Sequence, residues 1–249
     1  MGAIILTPFV YDDLSALLIA ADYSVSILFA ASAIILIASI IDFEALKKGK
    51  IAVVEPLWTA EVPISAILAF LILNEVIGLL EIFLVAMLIS GLVLVSLKSR
   101  HLSKKTWVEK GVVLALIGAV LMGASNFFIG FASRVTDPLM AIWFTNFFMA
   151  GISLFYLMSN HRLHRMYSDF RAHKKFILTV SVLDNLAWIS FAFAMSLIPI
   201  TIAVALSESY IALAALLGLL INKEKLLIHQ KFGLVVTLMS AIALAAIAA

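Results

Sequence analysis

No cysteine occurs among the 249 residues, so neither a disulfide framework nor thiolate chemistry is available, and redox compartment leaves no mark on the chain. Charge is scarce as well: 13% of residues are Asp, Glu, Lys or Arg, against about 25% in soluble domains. Several reaction signatures are missing. There is no H-E-x-x-H zinc helix, no G-x-S-x-G nucleophile elbow, no D-D-x-x-D aspartate pair, no phosphate-binding P-loop and no dinucleotide glycine pattern. Without a P-loop, ATP-driven pumping is excluded for this chain alone. The five histidines, His101, His161, His164, His173 and His229, fall in basic loops or at their edges with no carboxylate or thiolate at ligand spacing, so neither a metal nor a cofactor is expected. The opening stretch "MGAIILTPFVYDD" has no basic n-region and no A-x-A cleavage site, and is not read as a signal peptide.

What the chain does contain is apolar surface. Hydrophobic residues make up 64% of it, and the mean hydropathy is +1.17. Eight apolar runs are long enough to cross a hydrocarbon core about 30 Å thick. They lie near 26–46, 51–73, 76–97, 108–131, 137–159, 175–197, 200–221 and 229–248. Lipid cannot satisfy open backbone groups, so every span is predicted to be a helix and the fold class all-α, a polytopic membrane bundle. The longest polar interval, Ser159 to Lys175, is too short for a soluble domain.

The net charge of +2 conceals a strong asymmetry. Lys47, Lys48 and Lys50 follow the first span; Lys98, Arg100, Lys104, Lys105 and Lys110 follow the third. Arg162, Arg165, Arg171, Lys174 and Lys175 follow the fifth, and Lys223, Lys225 and Lys231 the seventh. Arg134 alone of the seventeen basic residues falls on the opposite side. The positive-inside rule then places these loops in the cytoplasm, and the acidic stretch with Asp12, Asp13 and Asp22, together with the C-terminus, outside. These loops are read as topology signals and anionic-lipid contacts, not as nucleic-acid readers.

An internal repeat appears at an offset of 149 residues, where Glu44 to Glu75 lies over Phe193 to Glu224. Ala45/Ala194, Ile51/Ile200, Leu57/Leu206, Ala66/Ala215, Ile72/Ile221 and Glu75/Glu224 are identical. The two copies are five spans apart, an odd number, so they run in opposite directions through the membrane. Inverted repeats of this kind characterise secondary transporters, whose sites lie near the midplane at the repeat interface. The repeat divides the chain into residues 1–100, with three spans, and residues 101–249, with five.

The stretches "FEALKKGKIAVVEPL…ILAFLILNE" and "FAFAMSLIPITIAVALSESYIALAALLGLLINKEKLLIHQKFGLVV" resemble the EamA-type members of the drug/metabolite transporter superfamily. The resemblance implies a ten-helix basket of two five-helix halves around a central cavity, carrying small metabolites or drugs by alternating access. Two departures stand out. By the 149-residue offset the first half lacks its first helix and most of its second, so residues 1–10 are read as a remnant and the chain as N-terminally shortened. Family members also resemble proteins with both termini in the cytoplasm, whereas the charges here put the C-terminus outside.

Ionisable residues deep in the spans are the candidate site, because a carboxylate at a helix centre costs about 2.5–3.5 kcal/mol on insertion scales. Glu208 lies nine residues past Pro199, roughly 13 Å deep at 1.5 Å per residue. It shares a face with Thr201, Ala205, Ala212 and Ala215, which suits either a cavity wall or close helix packing. Asp184, with Asn185 beside it and Trp188 one turn on, is equally central, and Glu61 lies between Pro56 and Pro63. In the repeat Glu61 pairs with Tyr210 and Glu208 with Thr59, so the acids are not symmetry mates, as an asymmetric substrate would require. Asn126 and Asn146 are deep amides that could meet substrate or bond neighbouring helices. Glu55, Asp42 and Glu44 are read as acids snorkelling to the basic side, with Glu44 and Lys48 an i,i+4 pair; Glu75 and Glu224 are read as structural helix ends.

No Lys or Arg lies deep in a span, Arg134 at the outer edge being nearest, so a site for sugar phosphates would lack its cations. Trp58, Trp143, Trp188 and Tyr210 lie at comparable depths, and an acid with aromatic faces cradles an ammonium group. The expectation is an exporter of small neutral, zwitterionic or cationic metabolites or drugs in the cell membrane, coupled to protons through Glu208 and Asp184. The other readings are a structural membrane subunit or a lipid flippase, and an intramembrane enzyme, for which no nucleophile or metal set is visible.

Overall fold

The computed structural model describes residues 2–20, 23–49, 51–97, 110–221, 223 and 226–248, with backbone alone for 12–20, 51–53 and 55. Asp22, Lys50, Lys98, Arg100, His101, Lys104, Lys105, Glu224 and Lys225 therefore lie outside the described residues, as do the side chains of Asp12, Asp13 and Glu55. The described residues are helical almost throughout and contain no strand. The helices are α1 Gly2–Ala20, α2 Tyr23–Lys48, α3 Ile51–Trp58, α4 Glu61–Leu73, α5 Leu79–Ser96, α6 Lys110–Val135, α7 Pro138–Ser159, α8 Leu163–Leu197, α9 Ile200–Glu208, α10 Tyr210–Leu220 and α11 Ile228–Ala248. Among the described residues eight helical stretches are long and apolar enough to cross a membrane: α2, Pro56–Leu73, α5, α6, α7, α8, the pair α9 and α10, and α11. These match the eight apolar runs, and the protein is an all-α, multi-pass membrane bundle.

Three features depart from the spans as read. The N-terminal stretch is a 19-residue helix, α1, and its Ala3, Leu6 and Val10 are buried in a face packed on α7. The polar interval after α7 is mostly helical too, since α8 begins at Leu163 and is bent at His173, where φ is −121° and ψ is 26°. The spans read as 51–73 and 200–221 are each interrupted, between α3 and α4 and between α9 and α10. Hydropathy averages over such breaks, because apolar side chains continue on both sides.

Helix ends follow local chemistry. Asp137 caps α7, accepting from the N–H groups of Leu139 at 2.8 Å and Met140 at 3.3 Å, and Pro138 fills the first helical position, where no N–H is needed. Asn74 closes α4 in the left-handed region at φ 52°. The C-terminal carbonyls of α5 are met from α11: Gln230 Nε2 donates to Val95 O at 3.1 Å, and a His229 ring nitrogen lies 2.9 Å from Leu97 O.

The helices form two compact units. One comprises Met1–Leu36 and Phe128–Ser196, holding α1, α7, most of α8 and the first half of α2. Phe29 of α2 meets Phe144 and Phe148 of α7 edge to face, at centroid distances of 5.0 and 5.9 Å. The other comprises Ile37–Phe127 and Leu197–Ala249. Within it α5 packs extensively on α11, where Gly91 and Gly233 let the backbones touch. A Cβ on Gly91 would lie 2.9 Å from Gly233 O, and one on Gly233 would lie 2.7 Å from Gly91 O. Small residues supply this approach because lipid tails, as apolar as any side chain, give helices no hydrophobic drive to associate.

Candidate functional site

The second unit carries both helix breaks. Between α3 and α4, Pro63 has no N–H to offer the Thr59 carbonyl, so the bond that would carry the helix through is missing. Tighter contacts replace it: Ala60 N–H donates to Leu57 O at 3.1 Å and Val62 N–H to Thr59 O at 3.4 Å. The Thr59 hydroxyl donates to Pro56 O at 2.7 Å. Between α9 and α10, Ser209 does the same without a proline. Its hydroxyl and its N–H both donate to Leu206 O, at 2.6 and 3.1 Å. The helices that resume, α4 at Glu61 and α10 at Tyr210, start 149 residues apart, the offset of the sequence repeat.

Two of the three deep acids sit at these breaks. Glu61 opens α4 and Glu208 closes α9; their exposures are 7% and 9%, and α4 packs on α9. Asn126 of α6 donates its Nδ2 to Glu61 Oε2 at 3.1 Å. One turn earlier Gly123 brings α6 onto α4, since a Cβ there would stand 2.8 Å from the Glu61 carbonyl and from Ile64 Cβ. Glu208 and Asp42 both lie within electrostatic reach of Glu61. Glu61 is also the first residue of α4, the helix end that carries partial positive charge. Thr59, Thr201 and Ala205 are buried in the same unit. The result is a pair of carboxyls, one amide and interrupted backbone within the apolar layer, a set able to hold a proton or a cation. Among the described residues no group of three or more His, Asp or Glu could hold a metal ion.

The other named residues lie elsewhere. In the first unit Asn146 Nδ2 donates to Asn185 Oδ1 at 3.0 Å, and Asn185 Nδ2 to Ser181 O at 2.8 Å. Gly2 of α1 packs against this amide pair so closely that a Cβ would collide with Asn185. Trp143 Nε1 donates to Thr7 Oγ1 at 3.0 Å, and Trp188 packs edge-on to Phe191. Asp184 is exposed on α8, and Tyr210 of the second unit is exposed as well. The structure thus joins Glu61, Asn126 and Glu208 in one unit and Asn146 and Asn185 in the other.

Residues 109–246 match the EamA-like transporter family, more than half of the chain. The chain belongs to this family. It is a membrane transporter of the drug/metabolite type. Comparison with curated proteins gives no match.

In this EamA-like transporter one acid near Glu61 escaped the sequence reading as a site residue. The sequence alone reads Asp42 as a snorkelling acid, yet its Oδ1 is buried, and a Cβ on Gly118 of α6 would strike it. Asp42 and Trp58 approach one another, but neither Asp42 Oδ1 nor Trp58 Nε1 completes a well-formed hydrogen bond among the described residues. The signal was an acid six residues inside its span opposite a glycine, visible only once α2 and α6 are paired. Glu44 behaves as read, bonding Lys48 and Lys47 at 2.8 Å each. Glu75 is structural in a specific way, since its Oε1 accepts from Thr201 N–H at 3.3 Å, filling one of the open donors at the start of α9. Between α4 and α5 an apolar groove of about 490 Å³ runs from Val62, next to Glu61, to Glu75 and Thr201.

Proposed function

We propose that the protein is a secondary transporter that exports small neutral, zwitterionic or cationic metabolites or drugs across the cell membrane by alternating access, in exchange for protons. The observation carrying this reading is the Glu61 and Glu208 pair buried at two helix breaks, with Asn126 bonded to Glu61. Carboxyls in the hydrocarbon layer are costly as bare anions, and mark proton or substrate pathways. A proton and an ammonium group are alternative occupants of such a pair, which is the requirement for exchange. The breaks supply the rest, because interrupted transmembrane helices expose backbone dipoles at the midplane and allow one half-helix to move against the other. The 149-residue spacing of the breaks supports a pair of inverted copies related through this site.

Within the second unit we assign Thr59 and Tyr210 to cargo contact beside the acid pair, and within the first unit we assign Asn146, Asn185, Asp184 and Trp188 to a polar patch of its own that meets cargo. Competition in liposomes containing the purified protein tests the cargo class. Amino acids or amphipathic amines should inhibit uptake and phosphorylated sugars should not. Inhibition by phosphorylated sugars alone would overturn the reading, and flux of no solute in the panel would return the chain to a structural or lipid-moving role.

A further inference from the structure

The bend in α8 builds a second concave surface, wholly within the first unit. After α7 the chain reverses over Asn160–Arg162, with His161 at φ 52° and the Arg162 N–H donating to Leu157 O at 2.9 Å. The bend at His173 then splits α8 into a short arm, Leu163–Ala172, and a long run, Lys174–Leu197. At 1.5 Å per residue the long run extends about 36 Å, enough to span the hydrocarbon core unaided. The arm is left at the membrane boundary. Its Leu163, Met166 and Phe170 recur at helical spacing, its polar face is basic, and exposed Tyr156 and Tyr167 flank it at the depth where aromatic belts form.

Between the arm, the end of α7 and the start of the long run lies a groove of about 620 Å³, within the range of about 300–1,000 Å³ for small-molecule sites. Arg162 and Arg165 line it together with the apolar Leu157, Met166, Phe170 and Ile177 and with Ser181, and Ile177 lies one turn past the bend along the long run. Asp169 lies on the same wall, and neither guanidinium forms an ion pair among the described residues. Two cations and one anion leave a single positive charge, which matches a phosphodiester monoanion better than a phosphate dianion. An apolar wall continuous with that charge matches an acyl chain attached to it.

We propose that this groove binds one anionic phospholipid, its phosphodiester held by the Arg162 and Arg165 guanidinium groups and an acyl chain laid along Leu157, Met166, Phe170 and Ile177. Guanidinium forks suit phosphate oxygens, and basic segments at the membrane edge attract anionic lipid by about 1 kcal/mol per charge. The lipid fills the wedge that the bend opens and ties the arm to the bilayer surface.

Native mass spectrometry of the purified full chain, titrated with phosphatidylglycerol, phosphatidylcholine or glycerol phosphate, tests this. Phosphatidylglycerol should bind at least tenfold more tightly than phosphatidylcholine, and glycerol phosphate should not displace it. The double variant Arg162→Gln/Arg165→Gln should lose the preference, whereas Lys47→Gln/Lys48→Gln, a basic pair elsewhere, should keep it. Equal binding of the two lipids, retention by the arginine variant, or equal loss in the lysine variant would overturn the site. Displacement by glycerol phosphate would reassign it to a soluble phosphate and overturn the lipid. Should the glutamine variant not fold, Phe170→Ser tests the apolar wall, with several-fold weaker phosphatidylglycerol binding expected and unchanged binding contradicting it.

Discussion

Asn126 is the site residue most open to test, because among the described residues its amide donates a hydrogen bond to the buried Glu61 carboxyl. Asn126→Ala leaves the Glu61 side chain without that donor, and an unsatisfied buried polar group costs about 1–3 kcal/mol. The variant should unfold at a lower temperature in detergent, and adding Glu61→Gln should recover part of the loss, because the two side chains share one interaction. Additive losses in the double variant would show that the bond contributes nothing. At this scale the sequence showed the acids but not their company. Glu61 and Glu208 were legible as isolated charges in apolar runs, since insertion cost alone singles them out. The approach of Asn126, Asp42 and Glu208 to Glu61 depends on how α2, α4, α6 and α9 pack, and no local pattern encodes that.

Elements were more legible than contacts, and their failures are informative. Lipid permits only satisfied backbone, so apolar length sufficed to find eight spans. It could not find α1, which packs on α7 through three small or aliphatic residues, or the α8 arm, whose polar residues conceal a helical spacing. Nor did hydropathy register the breaks, though Pro63 and Ser209 cause them by removing or diverting one backbone bond each. Pro63→Ala restores an N–H facing Thr59 O, and a bond worth about 0.5–1.5 kcal/mol. We expect a higher unfolding temperature together with slower transport; an unchanged rate would show that the break is not part of the cycle. Packing of α5 on α11 gives a second test. Gly91→Val drives a side chain into Gly233 O and Thr237, and overpacking of this sort costs about 1–3 kcal/mol. A thermal unfolding midpoint equal to wild type would mean that the two backbones are free to separate.

For the whole molecule, the proposed orientation rests on charge placement and the proposed mechanism on acid placement. Sixteen of the seventeen basic residues on one side predict that a C-terminal alkaline phosphatase fusion is active and a fluorescent-protein fusion dark. The opposite pattern would put the C-terminus in the cytoplasm. Mechanism rests on whether the buried carboxyl pair exchanges protons for cargo, and one measurement addresses that directly: substrate-driven proton flux in liposomes containing wild-type protein or Glu208→Gln. The amide keeps the shape of the side chain and removes its exchangeable charge. Wild type should move protons against an amine or amino-acid gradient with a rate that depends on pH. The variant should fold, bind and lose both the flux and the pH dependence. Proton flux of wild-type size and pH dependence in Glu208→Gln would contradict the account, leaving Glu208 a packing residue at the end of α9.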